Sequence, residues 1–295
     1  MTRLSVIHLV RAANGPEPLV QFLDSYSLAN RVAGQELTII FKGFEHQQEQ
    51  LRVCQAILAN QPFRALYVTD DGFDIEPYFF AARQLDAEYL CFLNSFSIIM
   101  DADWLIKMLN ALEAPGVGIV SATASCASPS NYLRENKKEF LQSPPYNKPL
   151  GAFRFALSSQ RFCRWFPSFP NPHVRSNGFL IRKEVFLQLR HRPMLQKNDA
   201  YRFESGVNGM TRQIQRMGLR PLVVGKDGVA YEIEDWHKSF TYEQGEQQNL
   251  LITDNKTRVY QNGDDALRQK QSRSSWGPYA APALGNARMH SSKTG

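Results

Sequence analysis

Long apolar runs are missing from this 295-residue chain. A membrane-spanning helix needs roughly 18 or more consecutive apolar residues, whereas candidates such as Tyr89–Leu93 are short and bounded by polar residues. Cysteine is also scarce, and the four cysteines include no Cys-x-x-Cys pair, which argues against zinc-ribbon and thioredoxin-like sites. No internal repeat is present either. We therefore expect an ordinary globular protein with reduced, mostly buried thiols.

A strong excess of charge is lacking as well. The 34 Lys and Arg residues exceed the 28 Asp and Glu residues by six, and half of that excess lies from Gln261 onward. The chain before Gln261 is mildly basic, which suits an anionic substrate or a peripheral contact with acidic lipid. The basic residues are scattered, so nucleic acid is not an expected partner.

The apolar start of the chain, Leu4–Val10, is interrupted by Ser5 and His8 and followed directly by Arg11. No small-residue cleavage site follows, so this segment is interpreted as a buried strand and not as a signal peptide. We expect a cytoplasmic location, with peripheral attachment at the inner face of the membrane as an alternative.

Two periodicities alternate through the first part of the chain. Short apolar runs typical of strands are separated by segments whose apolar residues lie three and four positions apart, as in helices. This alternation predicts an α/β fold with a mostly parallel central sheet flanked by helices. Ligands of such sheets bind beyond the carboxyl ends of the strands. The loops that follow the predicted strands are 11–15, 42–45, 70–74 and 94–100.

The second part of the chain is less regular. From Ser125 to about Val174 it is rich in Pro, Asn, Ser, basic and aromatic residues, and no regular element is predicted there. Strand and helix patterns resume at Gly178, and one helix is expected from about Phe203 to Met217. From 261 to 295 the chain is polar and rich in small residues, which predicts a disordered tail.

The most informative segment, from Glu88 to Ala122, reads EYLCFLNSFSIIMDADWLIKMLNALEAPGVGIVSA. A buried strand ends in Leu-Asn-Ser and is followed by a Trp-Leu helix, a Pro-Gly turn and a second strand. This order resembles the nucleotide-sugar glycosyltransferases of the GT-A fold, family 2, as do VTDDGFD before a helix and SNGFLIRKEVF later on. The resemblance covers roughly residues 4–255 and implies a GT-A (Rossmann-like) fold. Another nucleotide-binding α/β fold with the same alternation is the alternative.

The same resemblance suggests how the domain is divided. Residues 1–124 would form the nucleotide-sugar-binding half. Residues 125–260 would form the acceptor-binding half of the same domain, and the predicted disordered tail would follow.

One departure from the family concerns the metal. Family members carry an Asp-x-Asp at the end of the central strand, which holds Mg²⁺ or Mn²⁺ against the donor diphosphate. The aligned residues here are Asn94-Ser95-Phe96, without a carboxylate, although a hard divalent cation prefers charged oxygen ligands. Either Lys, Arg or backbone N–H groups neutralise the diphosphate without a metal, or the ligands come from elsewhere. The candidates elsewhere are Asp101, Asp103 and His237.

Each of these three candidates also has a structural alternative. Asp101 and Asp103 lie directly before the helix that starts at Trp104, where capping of the helix is the competing role. A lone histidine such as His237 is more often surface or core filler than a metal ligand. A divalent metal therefore stays an open question at this stage.

The predicted donor site combines three loops. By resemblance, the Asp-Asp-Gly-Phe-Asp loop faces the nucleotide, where carboxylates would accept hydrogen bonds from ribose hydroxyls or base N–H groups. The arginine that ends the first strand could reach a phosphate or the base. The alternatives are an Asx turn and helix cap for the aspartates and a solvent-facing strand end for the arginine. The predicted donor-binding residues are Arg11, Asp70, Asp71, Asp74, Asn94 and Ser95.

Glu204 is the candidate general base. We expect it to open a helix that runs to Met217, where the partial positive charge of the helix N-terminus favours a carboxylate. An inverting transferase needs such a carboxylate to take the proton of the acceptor hydroxyl. In the family that the chain resembles, an acidic residue at the start of this helix has that role. The alternative is a first-turn Glu present only for the helix dipole.

The segment Arg161–Arg175, RFCRWFPSFPNPHVR, interleaves basic and aromatic residues. Aromatic faces pack against sugar rings, and arginine pairs with phosphates. We predict acceptor binding by Arg164, Trp165 and Arg175. A membrane-surface contact for a lipid-linked acceptor, stacking of nucleic-acid bases, and a loop whose aromatics fold back into the core are the alternatives.

These expectations together indicate an enzyme. It would transfer a sugar from a nucleoside-diphosphate-sugar to a hydroxyl of a saccharide or glycolipid acceptor, in surface polysaccharide or glycan biosynthesis, with inversion implied by the family resemblance. A non-catalytic relative that binds sugar or nucleotide is the second hypothesis, because the expected carboxylates are missing. A nucleic-acid-binding protein is the third and least favoured.

Overall fold

The structure is a computed structural model that describes residues 3–144 and 147–281. Within these ranges the main sheet has eight strands in the order β11-β10-β6-β9-β4-β1-β2-β3, and two two-stranded pairs, β5 with β12 and β7 with β8, lie apart from it. The strands are β1 Leu4–Arg11, β2 Gln35–Lys42, β3 Arg64–Val68, β4 Tyr89–Leu93, β5 Ile98–Ile99, β6 Val117–Ser121, β7 Ala124–Ser125, β8 His173–Val174, β9 Phe179–Arg182, β10 Arg220–Val224, β11 Ala230–Tyr231 and β12 Ile252–Thr253.

Helices follow most of the strands, as the sequence periodicity predicted. They are α1 Glu17–Ser27, α2 Gln48–Ile57, α3 Ile75–Gln84, α4 Trp104–Glu113, α5 Pro129–Glu135, α6 Lys137–Gln142, α7 Pro149–Trp165, α8 Lys183–Gln188, α9 Lys197–Ser205, α10 Met210–Arg216, α11 Asn255–Gln261 and α12 Asp265–Trp276. The predicted α/β architecture with a mostly parallel central sheet is confirmed. No helix within the described ranges has the length and hydropathy of a membrane span.

Two apolar layers cover the two faces of the sheet. Alternate residues of β1 face opposite sides, so Leu4 and Val6 pack with α1 and α4, whereas Ile7 and Leu9 pack with α3 and α8. All five residues of β4 are buried, as expected of a strand that is covered on both faces. Burial of apolar surface on both sides therefore stabilises the sheet.

Strand β9 runs against both of its neighbours, β4 and β6, and is the reversed strand inside the sheet. It therefore begins at the edge where β1, β2, β3, β4 and β6 end. The segment that leads into it, residues 173–178, joins the loops after those strands. Strands from both sides of the proposed boundary at residue 124 share this sheet, and the division into a donor half and an acceptor half stays a prediction.

The region from 125 to 174, for which no regular element was predicted, is largely helical. Helices α5, α6 and α7 occupy it, and α7 is 17 residues long. Phe155 is its one buried residue, so most of its apolar side chains are not part of the core. The Pro, Asn and Ser residues of this region had instead favoured irregular structure.

The prediction of one helix from Phe203 to Met217 is wrong, because two helices occupy this segment. Helix α9 ends at Ser205 and α10 begins at Met210. The break contains Gly206 and Gly209, where an added Cβ would lie 2.5 Å from the carbonyl oxygen of Arg202 and 2.8 Å from that of Glu204. Only glycine permits so close an approach of the backbone. Glu204 accordingly lies near the end of a helix, not at the start of one.

The predicted disorder after residue 261 is wrong for the part that the structure describes. Helix α12 follows, and the Trp276 side chain at its end is 2% exposed. The indole Nε1–H of Trp276 donates to the carbonyl of Tyr242 at 2.7 Å, and the Ser275 hydroxyl donates to Glu243 at 2.5 Å. A single large aromatic side chain thus anchors a segment whose composition is otherwise polar. Residues 282–295 of the predicted tail lie outside the described residues.

Candidate functional site

A pocket of about 510 Å³ lies at the carboxyl edge of the sheet. Four of the six residues predicted to bind the donor line it, namely Arg11, Asp70, Asp71 and Asp74. They come from the end of β1 and from the loop after β3, which meet here because the strands are parallel. The position is the one that ligands of open α/β sheets occupy.

Arg11 and Asp70 form a bidentate ion pair at the mouth of this pocket. The Nε–H and Nη2–H of Arg11 each donate to a carboxylate oxygen of Asp70 at 2.6 Å. The hydrogen bonds from Arg11, its charge and that of Lys42 lower the pKa of Asp70, although burial opposes them. Asp70 is therefore a stable anion that fixes the direction of the Arg11 guanidinium.

Lys42, which was not among the predicted site residues, lies beneath the pocket at the end of β2. Its side chain is 2% exposed, and its ammonium donates to the carbonyl of Phe73 at 2.7 Å and lies 3.6 Å from Asp70. Burial lowers the pKa of Lys42, while the carboxylates of Asp70 and Asp74 oppose that effect. A charged residue at the carboxyl end of a buried apolar strand was the signal available in the sequence.

The loop that follows β3 presents its other two carboxylates differently. Asp71 is exposed and accepts a hydrogen bond from the Thr69 hydroxyl at 3.0 Å. Asp74 is more enclosed: burial raises its pKa, Lys42 and Arg11 lower it, and the negative charge of Glu204 raises it again. Asp74 and the candidate base therefore lie in one electrostatic environment, although they are 130 positions apart in the sequence.

The Asn94 turn, residues 94–97 at the end of β4, is held by its own side chains. The Asn94 side-chain oxygen accepts from the Phe96 N–H at 2.9 Å and from the Ser97 hydroxyl at 3.2 Å. The Asn94 N–H donates to the side-chain oxygen of Asn177 at 2.7 Å. Ser95 is 6% exposed. The Asn94 side-chain oxygen is therefore engaged within its own turn.

Asn177 connects the Asn94 turn to a buried ion pair between Arg175 and Asp254. The Asn177 side-chain amide donates to Asp254 at 3.2 Å, and the Arg175 guanidinium donates to the same oxygen at 2.8 Å. The guanidinium also lies 4.4 Å from the centre of the Tyr242 ring. Arg175 was predicted to bind the acceptor, whereas Asp254 and Asn177 were not identified from the sequence.

Burial disfavours the charged forms of Arg175 and Asp254, and the charge of each residue stabilises the charge of the other. For Arg175, burial lowers the pKa, but Asp254 and Tyr242 raise it by more, and the net shift is upward. For Asp254, burial raises the pKa, but the charge of Arg175 and the backbone N–H groups of Thr257 and Lys256 lower it by more. The result is a permanent cation and a permanent anion beside the Asn94 turn.

Ser176 holds the candidate base in place. Its backbone N–H and its hydroxyl both donate to Oε2 of Glu204, at 2.7 and 2.6 Å. No hydrogen bond to Oε1 of Glu204 comes from any residue the structure describes. The charge of Glu204 raises the pKa values of His173 and Arg175. Burial lowers both pKa values, and its effect on each is larger than that of Glu204. Glu204 thus faces the start of β9.

The three metal candidates do not come together. Asp101 accepts from the Lys107 ammonium at 2.7 Å and from the Asp103 N–H at 2.9 Å, and Asp103 accepts from the Asn30 side chain at 2.7 Å. The His237 ring stacks on Tyr279 at 4.4 Å, where it lines an apolar cavity. Nowhere in residues 3–144 and 147–281 do three or more His, Cys, Asp or Glu side chains form a metal-binding group. The three predicted ligands therefore form no metal-binding group, and a divalent metal stays a prediction.

The other two predicted acceptor residues lie at the end of α7. Arg164 is exposed, and Trp165 is partly buried with the Arg202 guanidinium 4.3 Å from its ring centre. Trp165 lines a separate cavity of about 250 Å³ together with residues of α9. Arg175 belongs instead to the ion pair with Asp254. The three predicted acceptor residues therefore lie in different surroundings.

Of the known proteins compared with this chain, only solved structures are similar to it. No protein-family model and no curated protein matches this chain. Among solved structures, the mannosyltransferase PcManGT from Pyrobaculum calidifontis, in complex with GDP-Man and Mn²⁺, is 14% identical, with a TM-score of 0.46 over 81% of this chain and 59% of its own.

A second similar structure is residues 1–349 of TarS from S. aureus. It is 15% identical, with a TM-score of 0.34 over 41% of this chain and 35% of its own. The same segment in complex with UDP-GlcNAc matches 41% of this chain and 34% of its own, also with a TM-score of 0.34. This chain spans less than two thirds of the length of each. All of these proteins are similar to it only in part.

Proposed function

We propose that this chain is a glycosyltransferase that moves a sugar from a nucleoside-diphosphate-sugar to a hydroxyl of a saccharide or glycolipid acceptor, with inversion. One observation carries the proposal. A pocket of about 510 Å³, lined by carboxylates and cations, lies at the carboxyl edge of the sheet, and the segment that leads into β9 brings Ser176 and the carboxylate it holds to the same edge. A donor-sized pocket and a positioned base on one edge are what a glycosyl transfer needs.

The donor would occupy the pocket with its nucleoside against the loop after β3. The exposed carboxylate of Asp71 and that of Asp74 are acceptors for ribose hydroxyls or base N–H groups. Arg11 and Lys42 supply positive charge beside them. The two cations are already partly neutralised by Asp70, so their role is to orient the donor as well as to attract its diphosphate.

Glu204 would act as the general base. Because Ser176 donates both of its hydrogen bonds to Oε2, Oε1 is the atom that would take the proton of the acceptor hydroxyl. As the proton leaves, the hydroxyl oxygen forms its bond to the anomeric carbon from one side. The bond from that carbon to the diphosphate oxygen breaks on the other side, and the electron pair leaves with the diphosphate. One such displacement inverts the anomeric carbon.

The negative charge that develops on the diphosphate would be stabilised by fixed cations. Arg175 is held at full charge by Asp254 beside the Asn94 turn, which is the position that the Asp-x-Asp occupies in the family the chain resembles. Preorganised cations of this kind stabilise a transition state without reorganisation. The Mn²⁺ of PcManGT belongs to that protein.

The test is thermal stabilisation by UDP, GDP, TDP, CDP and ADP, each with Mn²⁺ and with EDTA. A ligand that binds only the folded state raises the melting temperature by mass action. We expect one base to give a shift that persists in EDTA, since the described residues provide no metal-binding group. A shift that disappears in EDTA would contradict the metal-free assignment and return Asp101, Asp103 and His237 as ligands to mutate. No shift with any nucleotide would remove the donor site.

A non-catalytic relative that binds sugar or nucleotide is the second candidate. The observation in its favour is that the Asn94 side-chain oxygen is engaged in its own turn. This hypothesis expects nucleotide binding without transfer or donor hydrolysis across a broad acceptor panel. A cytoplasmic location, peripheral contact with a membrane and a role in polysaccharide biosynthesis stay predictions.

A further inference from the structure

The Trp165 cavity lies between the end of α7, helix α9 and the connection between α8 and α9. Its volume is about 250 Å³, slightly below the roughly 300–1,000 Å³ of pockets for drug-sized ligands. Met194 lines both this cavity and the donor pocket, which places them side by side. The residues that line the Trp165 cavity include Trp165, Arg190, Arg192, Asp199, Arg202 and Phe203.

Positive charge accumulates in this cavity without matching negative charge. Three arginines line it against one carboxylate, Asp199, which lies 3.6 Å from Arg202. Within the described residues, Arg190 and Arg192 make no ion pair. Burial lowers the pKa of Arg202, and the charge of Arg192 lowers it further. Like charges held together in this way repel each other, and an anionic ligand would relieve that repulsion.

Trp165 adds an aromatic wall to the same cavity. The guanidinium of Arg202 lies 4.3 Å from the ring centre, and that of Arg161 lies 5.4 Å from it. Arginine presents a planar fork that matches the oxygens of phosphate and carboxylate, and an indole ring packs against apolar sugar faces. A walled cavity of this size suits one saccharide unit better than a flat lipid surface.

Helix α9 lies between the Trp165 cavity and the candidate base. Arg202, Phe203 and Gly206 line the cavity, and Glu204 lies between them in the same turn and a half of chain. Residues two apart on a helix lie on nearly opposite sides, so Arg202 and Gly206 face the cavity whereas Glu204 faces Ser176. A saccharide bound in the cavity would therefore lie beside the donor pocket, which shares Met194 with it, and not against Glu204 itself.

We propose that the Trp165 cavity is an acceptor subsite for a saccharide that carries an anionic group, either a phosphate or a carboxylate. This assignment rests on the proposed glycosyltransferase function and narrows its acceptor to an anionic sugar. Arg190, Arg192 and Arg202 would bind the anionic group, and Trp165 would pack against the sugar ring.

The fluorescence of Trp165 provides a direct test. The other three tryptophans, Trp104, Trp236 and Trp276, are at most 2% exposed, so a ligand in the cavity would change the signal of Trp165 alone. Titrations use a hexose phosphate, a hexuronate and the neutral hexose at constant ionic strength. We expect saturable changes with at least one of the anionic sugars and none with the neutral one. In the Trp165→Phe variant the signal should disappear.

Calorimetry with arginine variants supplies the second readout. Arg192→Ala and Arg202→Gln should each weaken binding of the anionic sugar at least tenfold, and Arg192→Ala serves if the Arg202 variant fails to fold. Arg52→Ala is the matched control, because Arg52 lies on α2 and is 77% exposed. Unchanged affinity in both cavity variants, or equal binding of the neutral hexose, would overturn the proposal. So would binding to anionic vesicles but to neither sugar.

The nucleotide measurements separate this proposal from the proposed function. Competition between the anionic sugar and the nucleoside diphosphate would place both in one site and overturn the separate subsite. A nucleotide shift without sugar binding would overturn the subsite and leave the transferase assignment intact. If the sugar binds but no nucleoside diphosphate raises the melting temperature, the assignment of the donor site is wrong. The interpretation of the cavity as an acceptor subsite is then wrong as well.

Discussion

Ser176 donates both its backbone N–H and its hydroxyl to a single oxygen of Glu204, at 2.7 and 2.6 Å. Glu204 lies near the C-terminal end of α9, where the helix dipole disfavours a negative charge. The two hydrogen bonds offset that effect, because hydrogen bonds to a carboxylate are among the stronger ones in proteins. The segment that leads into β9, not the helix that carries Glu204, therefore orients the candidate base.

Replacement of Glu204 by Gln should abolish proton transfer and preserve the shape of the site. We expect turnover to fall by about 10²–10⁴-fold, the usual contribution of a general base, while nucleotide binding survives. Steady-state transfer assays measure the first effect and thermal shifts the second. Glu184→Gln, an exposed carboxylate on the neighbouring helix α8, is the control. Turnover near that of the wild type would remove Glu204 from the role of base.

Ser176→Ala should lower turnover by about 10–150-fold. It removes one of two hydrogen bonds to a charged group, and such a bond contributes about 1.5–3 kcal/mol. The KM for the donor should stay the same, because Ser176 acts through Glu204, and Ser176→Thr should restore most of the rate. Ser27→Ala, which removes an exposed hydroxyl on α1, should have no effect. A change in donor KM with constant kcat would indicate a different role for Ser176.

Asp254→Asn should destabilise the fold by about 3–5 kcal/mol at pH 7, because it leaves the buried Arg175 charge without its partner. The pKa of Asp254 is lowered in the folded state. Its contribution is therefore complete above the unfolded pKa of about 3.9 and is lost as the pH falls through the folded pKa. Urea unfolding should show a gap between variant and wild type that narrows in acid.

The matched control for Asp254 is Asp235→Asn. Asp235 forms a surface ion pair with Lys238 in which both side chains are about half exposed, and such pairs contribute little. Its effect should be small. The double variant Asp254→Asn with Arg175→Met should recover part of the lost stability. An Asp254→Asn effect of equal size at pH 7 and in acid would show that the charge of Asp254 is not what stabilises the fold.

Trp276→Ala should cost about 3–5 kcal/mol, the usual range for removal of a buried large aromatic side chain. Trp276 is 2% exposed and donates a hydrogen bond to the carbonyl of Tyr242. Leu267→Ala on the same helix removes a side chain that is 38% exposed and should cost far less. Urea midpoints of the two variants provide the comparison. Equal midpoints would mean that α12 does not pack as described.

Most strands were predictable because burial leaves a direct trace in the sequence. The continuous apolar run of β4 and the apolar spacing that begins at Trp104 of α4 both follow from burial. The break at Gly206 and Gly209 was not predictable by the same reasoning. The apolar period continues across it, and only the close approach of two backbone segments requires glycine there.

The residues of the candidate site that the sequence predicted are those that stand at the end of a strand or shortly after it. Arg11, Asp70 and Asp74 were identified because each stands where an apolar strand ends or shortly after it. Lys42 and Asp254 were missed, since a single polar residue beside an apolar run does not indicate what it will face. The partner of Arg175 is 79 positions away, and no local pattern extends that far.

The sequence by itself determined the α/β architecture and the edge of the sheet at which a ligand would bind, because the period of apolar residues specifies elements and parallel strands share one edge. The tertiary structure decided which charges meet. Ser176 reaches Glu204 and Arg175 reaches Asp254 because the reversed strand β9 brings residues 173–178 to that edge. A buried charge is stable only beside its partner, and that pairing depends on the fold and not on local sequence.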